Sequence, residues 1–242
     1  SPEAHLEHGG IHYVAQLAQR PSDNAKIAAY AKFGDWGNVR VIRKGGTQGA
    51  KEVDVPYVRQ RGEGANGSAN DCGAAAVKGL ILINRDVVPA VDTLAKEAAT
   101  IEGQPYPNYS GLQLSTLITL GKRYGVDLMR VTPKTWDAAK TNTRDRIKDG
   151  QPIIALVHYD ALPVANRLIK QNGSVKGHYI TLYRSGDTGV TYNDPYHDGT
   201  GGRALRLTWE QLRAAWEANP KDNNPMYAML VMLNAQQAKQ AA

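Results

Sequence analysis

Two runs rich in β-branched and aromatic residues, GHYITLYR (177–184) and GVTYNDP (189–195), are joined through SGDTG. So short a connection between alternating runs commits this stretch to an antiparallel hairpin. An isolated hairpin is marginal in water, so the rest of the chain has to supply further strands and a covering layer. A turn centred on Gly186 and Asp187 sets His178, at the start of one strand, across from Asp194 at the end of the other. At cross-strand distance the carboxylate can hold the imidazole.

The segments before the hairpin read mainly as helices. VDVPYVRQ (53–60) reads as a strand and RGEGANGSAND (61–71) as a polar, Gly-rich loop. A helix follows from Asp71 to about Ile83, with Ala74, Val77, Leu80 and Ile81 at helical spacing. PAVDTLAKEAAT is a second helix, and SGLQLSTLITLGKRYG a third, opening on Ser110 as N-cap and stopping at Gly125. VDLMRV is a strand, TPKTWDAAKTNTRDRIKDG a helix with Pro133 near its first turn, and QPIIALVHY a buried strand. After the hairpin, TWEQLRAAWEA is a short helix capped by Thr208 with Glu210 and Gln211 nearby, and MYAMLVML is a last buried strand. The order predicts an α+β domain, a helical half followed by an antiparallel sheet half.

Composition narrows the function classes. Apolar residues make up 42% and charged residues 21%, as in a soluble globular domain, and no apolar run reaches the roughly 18 residues that a bilayer requires. The net charge of +6 is scattered, with no aromatic-basic ladder, so nucleic acid is not expected as a partner. Association with a cell wall or another anionic surface stays open.

The one cysteine excludes an internal disulfide and raises the question of what the thiol is for. Asp71 is a good N-cap, which puts Cys72 in the first helical turn, where unpaired N–H groups and the positive end of the macrodipole favour a thiolate. The alternative is a buried cysteine acting as a small hydrophobe. Gly73 leaves room beside the sulfur for a substrate backbone. A thiol nucleophile needs a base and the base an orienting group, which the His178/Asp194 pair supplies.

In chain order, VPYVRQ, NDCGAAA, GHYITLYR, GVTYNDPY and LTWEQLRAAW resemble the papain-like cysteine peptidases of the double-glycine leader (bacteriocin-processing) type and their stand-alone relatives. The resemblance runs from Val53 to Leu233 and implies a papain-like fold with Cys72 as nucleophile, His178 as base, Asp194 as orienter and Gln60 as oxyanion donor. It implies a peptide or protein substrate, no cofactor, and a substrate groove that includes Gly73, Gly177 and Tyr179. Ala74 stands where the family usually has proline, and the spacer from Gln60 to Cys72 is long. A wall-peptide amidase or transpeptidase on the same machinery, and a non-catalytic peptide-binding module, are the alternatives. The compartment stays open, with an extracellular or cell-surface bacterial setting favoured.

The expected organisation is an N-terminal segment (1–52), the peptidase domain (53–234) and a polar tail (235–242). In the first segment NAKIAAYAKFG reads as a helix and NVRVIRK as a strand, and IAAYAKFGDWGNVRVI loosely resembles the helical part of a LysM-type wall-binding module without its opening strand. His5, His8 and His12 recur at near-helical spacing, but Gly9 and Gly10 break the helix and no convincing fourth ligand follows, so no metal site is expected. His197 and Asp198 are expected in a polar loop at the rim of the site, and His158 as a satisfied core histidine. Trp136, Trp209 and Trp216 read as packing anchors. Tyr179 and Tyr183 either line the groove or face the core.

Overall fold

The computed structural model describes residues 3–8, 11–16, 52–61, 70–168, 177–218 and 226–233, the first two stretches as backbone only. Two compact units divide the chain, residues 1–49 and 50–242. In the first, β1 (Glu3–His8) and β2 (Ile11–Gln16) form an antiparallel hairpin that pairs Glu7 with His12 and His8 with Ile11. The sequence reading had no strands here. The expected helix and strand of residues 24–44, the LysM-like stretch, the 62–69 loop and the polar tail lie outside the described residues.

The second unit begins with an extended segment, residues 52–60, which is not the expected strand. Its apolar residues Val55 and Val58 are buried, but its backbone bonds run to other groups rather than to a ladder. Asn193 Nδ2 donates to the Val55 carbonyl at 2.9 Å and Gln60 N to the Pro195 carbonyl at 2.9 Å. Three helices follow: α1 (Cys72–Asn84), α2 (Val91–Glu102) and α3 (Leu114–Arg123). Helix α3 starts later than Ser110 because Gly111 sits at φ +108° and Gln104 Oε1 accepts from both the Ser110 backbone and its hydroxyl. A residue engaged outside the helix and followed by a left-handed glycine cannot begin one.

The remaining elements are β3 (Leu128–Val131), α4 (Trp136–Lys148), β4 (Ile153–His158), β5 (Gly177–Ser185), β6 (Gly189–Asn193), β7 (Leu205–Thr208), α5 (Trp209–Glu217) and β8 (Met229–Met232). Pro133 stands two residues before Thr135, the cap of α4, whose hydroxyl accepts from Ala138 N. Thr208 and Gln211 form the reciprocal capping box at the head of α5.

The six strands make one antiparallel sheet in the order β3-β8-β4-β5-β6-β7. Successive residues of each inner strand alternate between two cores. Ile154, Tyr179, Tyr183 and Leu230 join the core under α1, α2 and α3. Ile153, Ala155, Ile180, Leu182 and Val231 join a second core with residues of α4 and α5, among them Ala139, Ile147, Trp209 and Trp216. Each fully buried Leu or Ile contributes about 1.5–3 kcal/mol, so the doubly covered sheet is a stiff platform. Helix α1 is buried along most of its length, from Cys72 to Ile81, and its small residues let it lie close to β5. At Gly79 the Pro56 carbonyl passes 3.1 Å from where a Cβ would stand, which is how the 52–60 segment crosses the helix.

Candidate active site

Cys72 opens α1, 8% exposed, at the end of the helix where the macrodipole is positive. Asp71 occupies the N-cap position, yet its side chain makes no cap bond. Its carboxylate instead accepts the Tyr109 hydroxyl at 2.6 Å, and the Tyr109 carbonyl accepts from Asn70 Nδ2. Burial, reinforced by Asp71, raises the Tyr109 pKa and keeps that donor protonated. The connection between α2 and α3 is thus latched to the residue before the thiol, a contact that the sequence reading missed.

His178 stands second in β5, 2% exposed. The expected register does not hold. Thr181 faces Asn193, Leu182 faces Tyr192, and a bulge between Leu182 and Arg184 shifts the pairing beyond them. Asp194, one residue past β6, therefore continues toward Ile180, and its carboxylate reaches His178 as a diagonal neighbour. His178 Nε2 donates to Asp194 Oδ1 at 2.6 Å, both side chains buried. Asp194 N donates to the Gly202 carbonyl at 2.8 Å, and a Cβ at Gly202 would fall 1.9 Å from the Asp194 carbonyl, so glycine is required for that return.

With Nε2 committed to Asp194, Nδ1 is the ring nitrogen left for the sulfur, and His178 has a hydrogen bond to Cys72. Burial lowers the pKa of His178, but the Asp194 carboxylate and then Cys72 outweigh it and raise the value to about 10. The imidazole is therefore protonated at neutral pH. Tyr159 meets it edge-on at 5.1 Å between centroids and Tyr196 at 6.1 Å, enclosing the ring with aromatic walls. Neither tyrosine was singled out beforehand; the Tyr beside Asp194 in NDPYHDG was the available signal.

Gln60 is 1% exposed, fixed by its backbone to Pro195, next to Asp194. Arg61 extends this stitching, donating to the Tyr196 hydroxyl at 2.9 Å with its guanidinium 4.7 Å from the ring centre. The space beside Gly73 is filled from the core side: an added Cβ would meet Leu117 Cδ2 at 3.0 Å and Tyr179 Cδ2 at 3.2 Å. Tyr179 is 3% exposed and donates to the Leu112 carbonyl at 2.6 Å; Tyr183 is buried in the same core. Gly177 is exposed at the start of β5, opposite His158.

Other expectations change. His158 is half-buried, and its Nδ1 makes no hydrogen bond among the described residues, unlike a satisfied core histidine. His197 is mostly buried behind Asp194, not at a rim, whereas Asp198 is in the loop as expected. Trp209 and Trp216 are buried anchors, and Trp136 packs on Trp209. Among the described residues no group of three His, Cys, Asp or Glu could hold a metal ion, and no helix is long and apolar enough to cross a membrane.

A family model described as the Peptidase_C39 like family matches residues 52–223. No curated protein matches the chain. Among solved structures, a C39-like peptidase from Bacillus anthracis is 18% identical, covers 76% of this chain and 98% of its own, and superposes with a TM-score of 0.51. The peptidase domain of Streptococcus ComA, a bifunctional ABC transporter of a quorum-sensing pathway, is 13% identical with coverages of 74% and 96% and a TM-score of 0.48. A double glycine motif protease of an AMS/PCAT transporter, solved with its leader peptide, is 14% identical with coverages of 77% and 95% and a TM-score of 0.46.

Proposed function

The chain belongs to the Peptidase_C39 like family of cysteine peptidases, and from that premise we propose that Cys72, His178 and Asp194 are its catalytic triad, acting on peptide or protein substrates through a thioester. The observation that carries the reading is the buried His178–Asp194 pair, Nε2 to Oδ1 at 2.6 Å, with Cys72 near enough to act on the same imidazole.

In this cycle the sulfur, having passed its proton to His178, attacks an amide carbonyl. The Gln60 side chain and the Cys72 N–H stabilise the oxyanion. His178 then gives its proton to the leaving amine, the C–N bond breaks, and the thioester remains. Water, deprotonated by the now neutral His178, attacks the thioester; the acid product leaves and the sulfur is regenerated. Asp194 keeps Nε2 protonated throughout and orients the ring.

Cys72→Ala removes the nucleophile and takes only one sulfur from the first core, so turnover of a peptide library should vanish while the circular dichroism spectrum stays that of the wild type. Turnover retained in that variant would sink the reading. His178→Ala should also slow iodoacetamide alkylation of Cys72 near neutral pH, because the thiol then lacks its proton acceptor. Gln60→Ala should lower kcat by about 10²–10³ with little change in KM, and an unchanged kcat would remove Gln60 from the oxyanion hole.

A further inference from the structure

Asp194 is fully buried, and its two oxygens are treated differently. Oδ1 accepts from His178 Nε2 at 2.6 Å and from Tyr196 N at 2.8 Å. Oδ2 accepts no hydrogen bond among the described residues. Facing it is the ring of His197, Nε2 at 3.8 Å and only 11% of the side chain exposed. That nitrogen donates to the Asn166 carbonyl at 2.8 Å, which fixes a proton on Nε2, since a carbonyl only accepts. The separation is too long for a hydrogen bond, yet short enough for a substantial electrostatic pull in an enclosed site.

The other charged or titratable groups nearby are turned elsewhere. Tyr57 OH donates to the His197 carbonyl at 3.3 Å, and Tyr192 OH accepts from Asn166 Nδ2 at 3.3 Å. Burial first, and the Asp194 charge second, raise the pKa of both phenols, so they remain neutral. Arg61 lies on Tyr196, and Arg59 and Asp198 bring opposite charges near Tyr57. Of the groups around Oδ2, His197 is the one whose N–H lies a short rotation away from it.

We propose that His197 is a positioning residue that compensates the charge of Asp194 while His178 is without its second proton. The proposal rests on the triad reading. When His178 protonates the leaving amine, the carboxylate loses its counter-ion but stays buried, and an uncompensated buried carboxylate is costly. Without a partner on Oδ2, Asp194 holds His178 in the imidazolium form and makes it a poor acid. A small rotation that carries the His197 Nε2–H from the Asn166 carbonyl to Oδ2 removes that penalty.

The consequence depends on the leaving group. An anilide needs the proton from His178, whereas p-nitrophenolate leaves without it. The test uses the full chain as wild type, His197→Ala and His197→Gln, with benzyloxycarbonyl-glycyl-glycine p-nitroanilide and the matching p-nitrophenyl ester. His197→Ala is expected to lower kcat on the anilide about tenfold or more, with KM and the ester rate within about twofold. His197→Gln, which keeps an N–H donor at similar reach, should retain most of the anilide rate.

Equal losses on both probes, no loss on either, or a Gln variant as slow as Ala would each overturn the proposal. A second arm needs no turnover. In a Cys72→Ala background, NMR titration of His178 should show a higher midpoint once His197 is replaced by Ala, and an unmoved midpoint counts against it. If the wild type turns over neither probe and no library peptide, the peptidase reading fails while the titration still decides the role of His197.

Discussion

The two cores on either side of the sheet are built from different side chains. Under α1 to α3 the packing is alanine-rich, with Ala74, Ala75, Ala76, Ala95, Ala98 and Ala99 between leucines and valines. Around α4 and α5 it is aromatic, with Tyr159, Tyr192, Tyr196, Trp209, Trp216 and Tyr227. Cys72 belongs to the first, whereas His178 is walled by tyrosines of the second. Small side chains locate a helix by letting its backbone come close, and that is what the proposed nucleophile at a helix end requires. Large side chains with hydroxyls fix the direction of a neighbouring ring, and that is what the proposed base requires.

The sharpest way to break this comparison is to neutralise one buried carboxylate on each side. Asp194→Asn should lower kcat by about 10³–10⁴ by presenting the wrong partner to His178, whereas Asp71→Asn, which alters the Tyr109 latch, should cost tenfold or less by a rough estimate. Losses of equal size would mean that the helix end is as finely set as the base. Next in size are the cores themselves. Trp216→Ala should cost about 3–5 kcal/mol and Leu80→Ala about 2–5 kcal/mol, read from urea unfolding. Two separate transitions in either variant would show that the cores do not fold together.

A smaller effect comes from Gly73→Ala, whose Cβ would press on the fully buried Leu117. It should destabilise by about 1–3 kcal/mol, while Gly177→Ala, with 3.6 Å to Leu156 Cδ1, should stay within about 0.5 kcal/mol. The smallest signal is titration. The folded pKa of His178 is raised above its unfolded value, so its stabilising contribution is complete below about pH 6.5 and is lost as pH rises toward about 10. Cys72→Ala removes one of the groups that raise it, and NMR should place its midpoint lower than in the wild type.

The elements that sequence reading recovered are those whose cause is local. The α5 capping box needs only Thr208 and Gln211, and the β5–β6 hairpin needs its alternation and turn. Errors arose where a partner outside the element itself decided the outcome. Ser110 is a good cap by type, but Gln104 captured it. The 52–60 segment has strand-like residues, but its backbone bonds to the Asn193 side chain and to Pro195 instead of joining a ladder. Asp71 was placed correctly, and its bond to Tyr109 was invisible without the fold. At the site, the His178–Asp194 pair was legible because a two-residue error in register still leaves diagonal neighbours in reach. The place of His197 beside Asp194 was not, since it follows only when Asp194 is known to be buried with one oxygen unbonded among the described residues.

Strand β8, the last element described, lies inside the sheet with β3 on one side and β4 on the other. During synthesis, β3 and β4 therefore emerge long before the strand that joins them, and each carries an open edge until Met229–Met232 arrive. The sheet that carries His178 is finished only once β8 has been made, so a chain cut short of these residues has the parts of a peptidase but no continuous sheet to hold them.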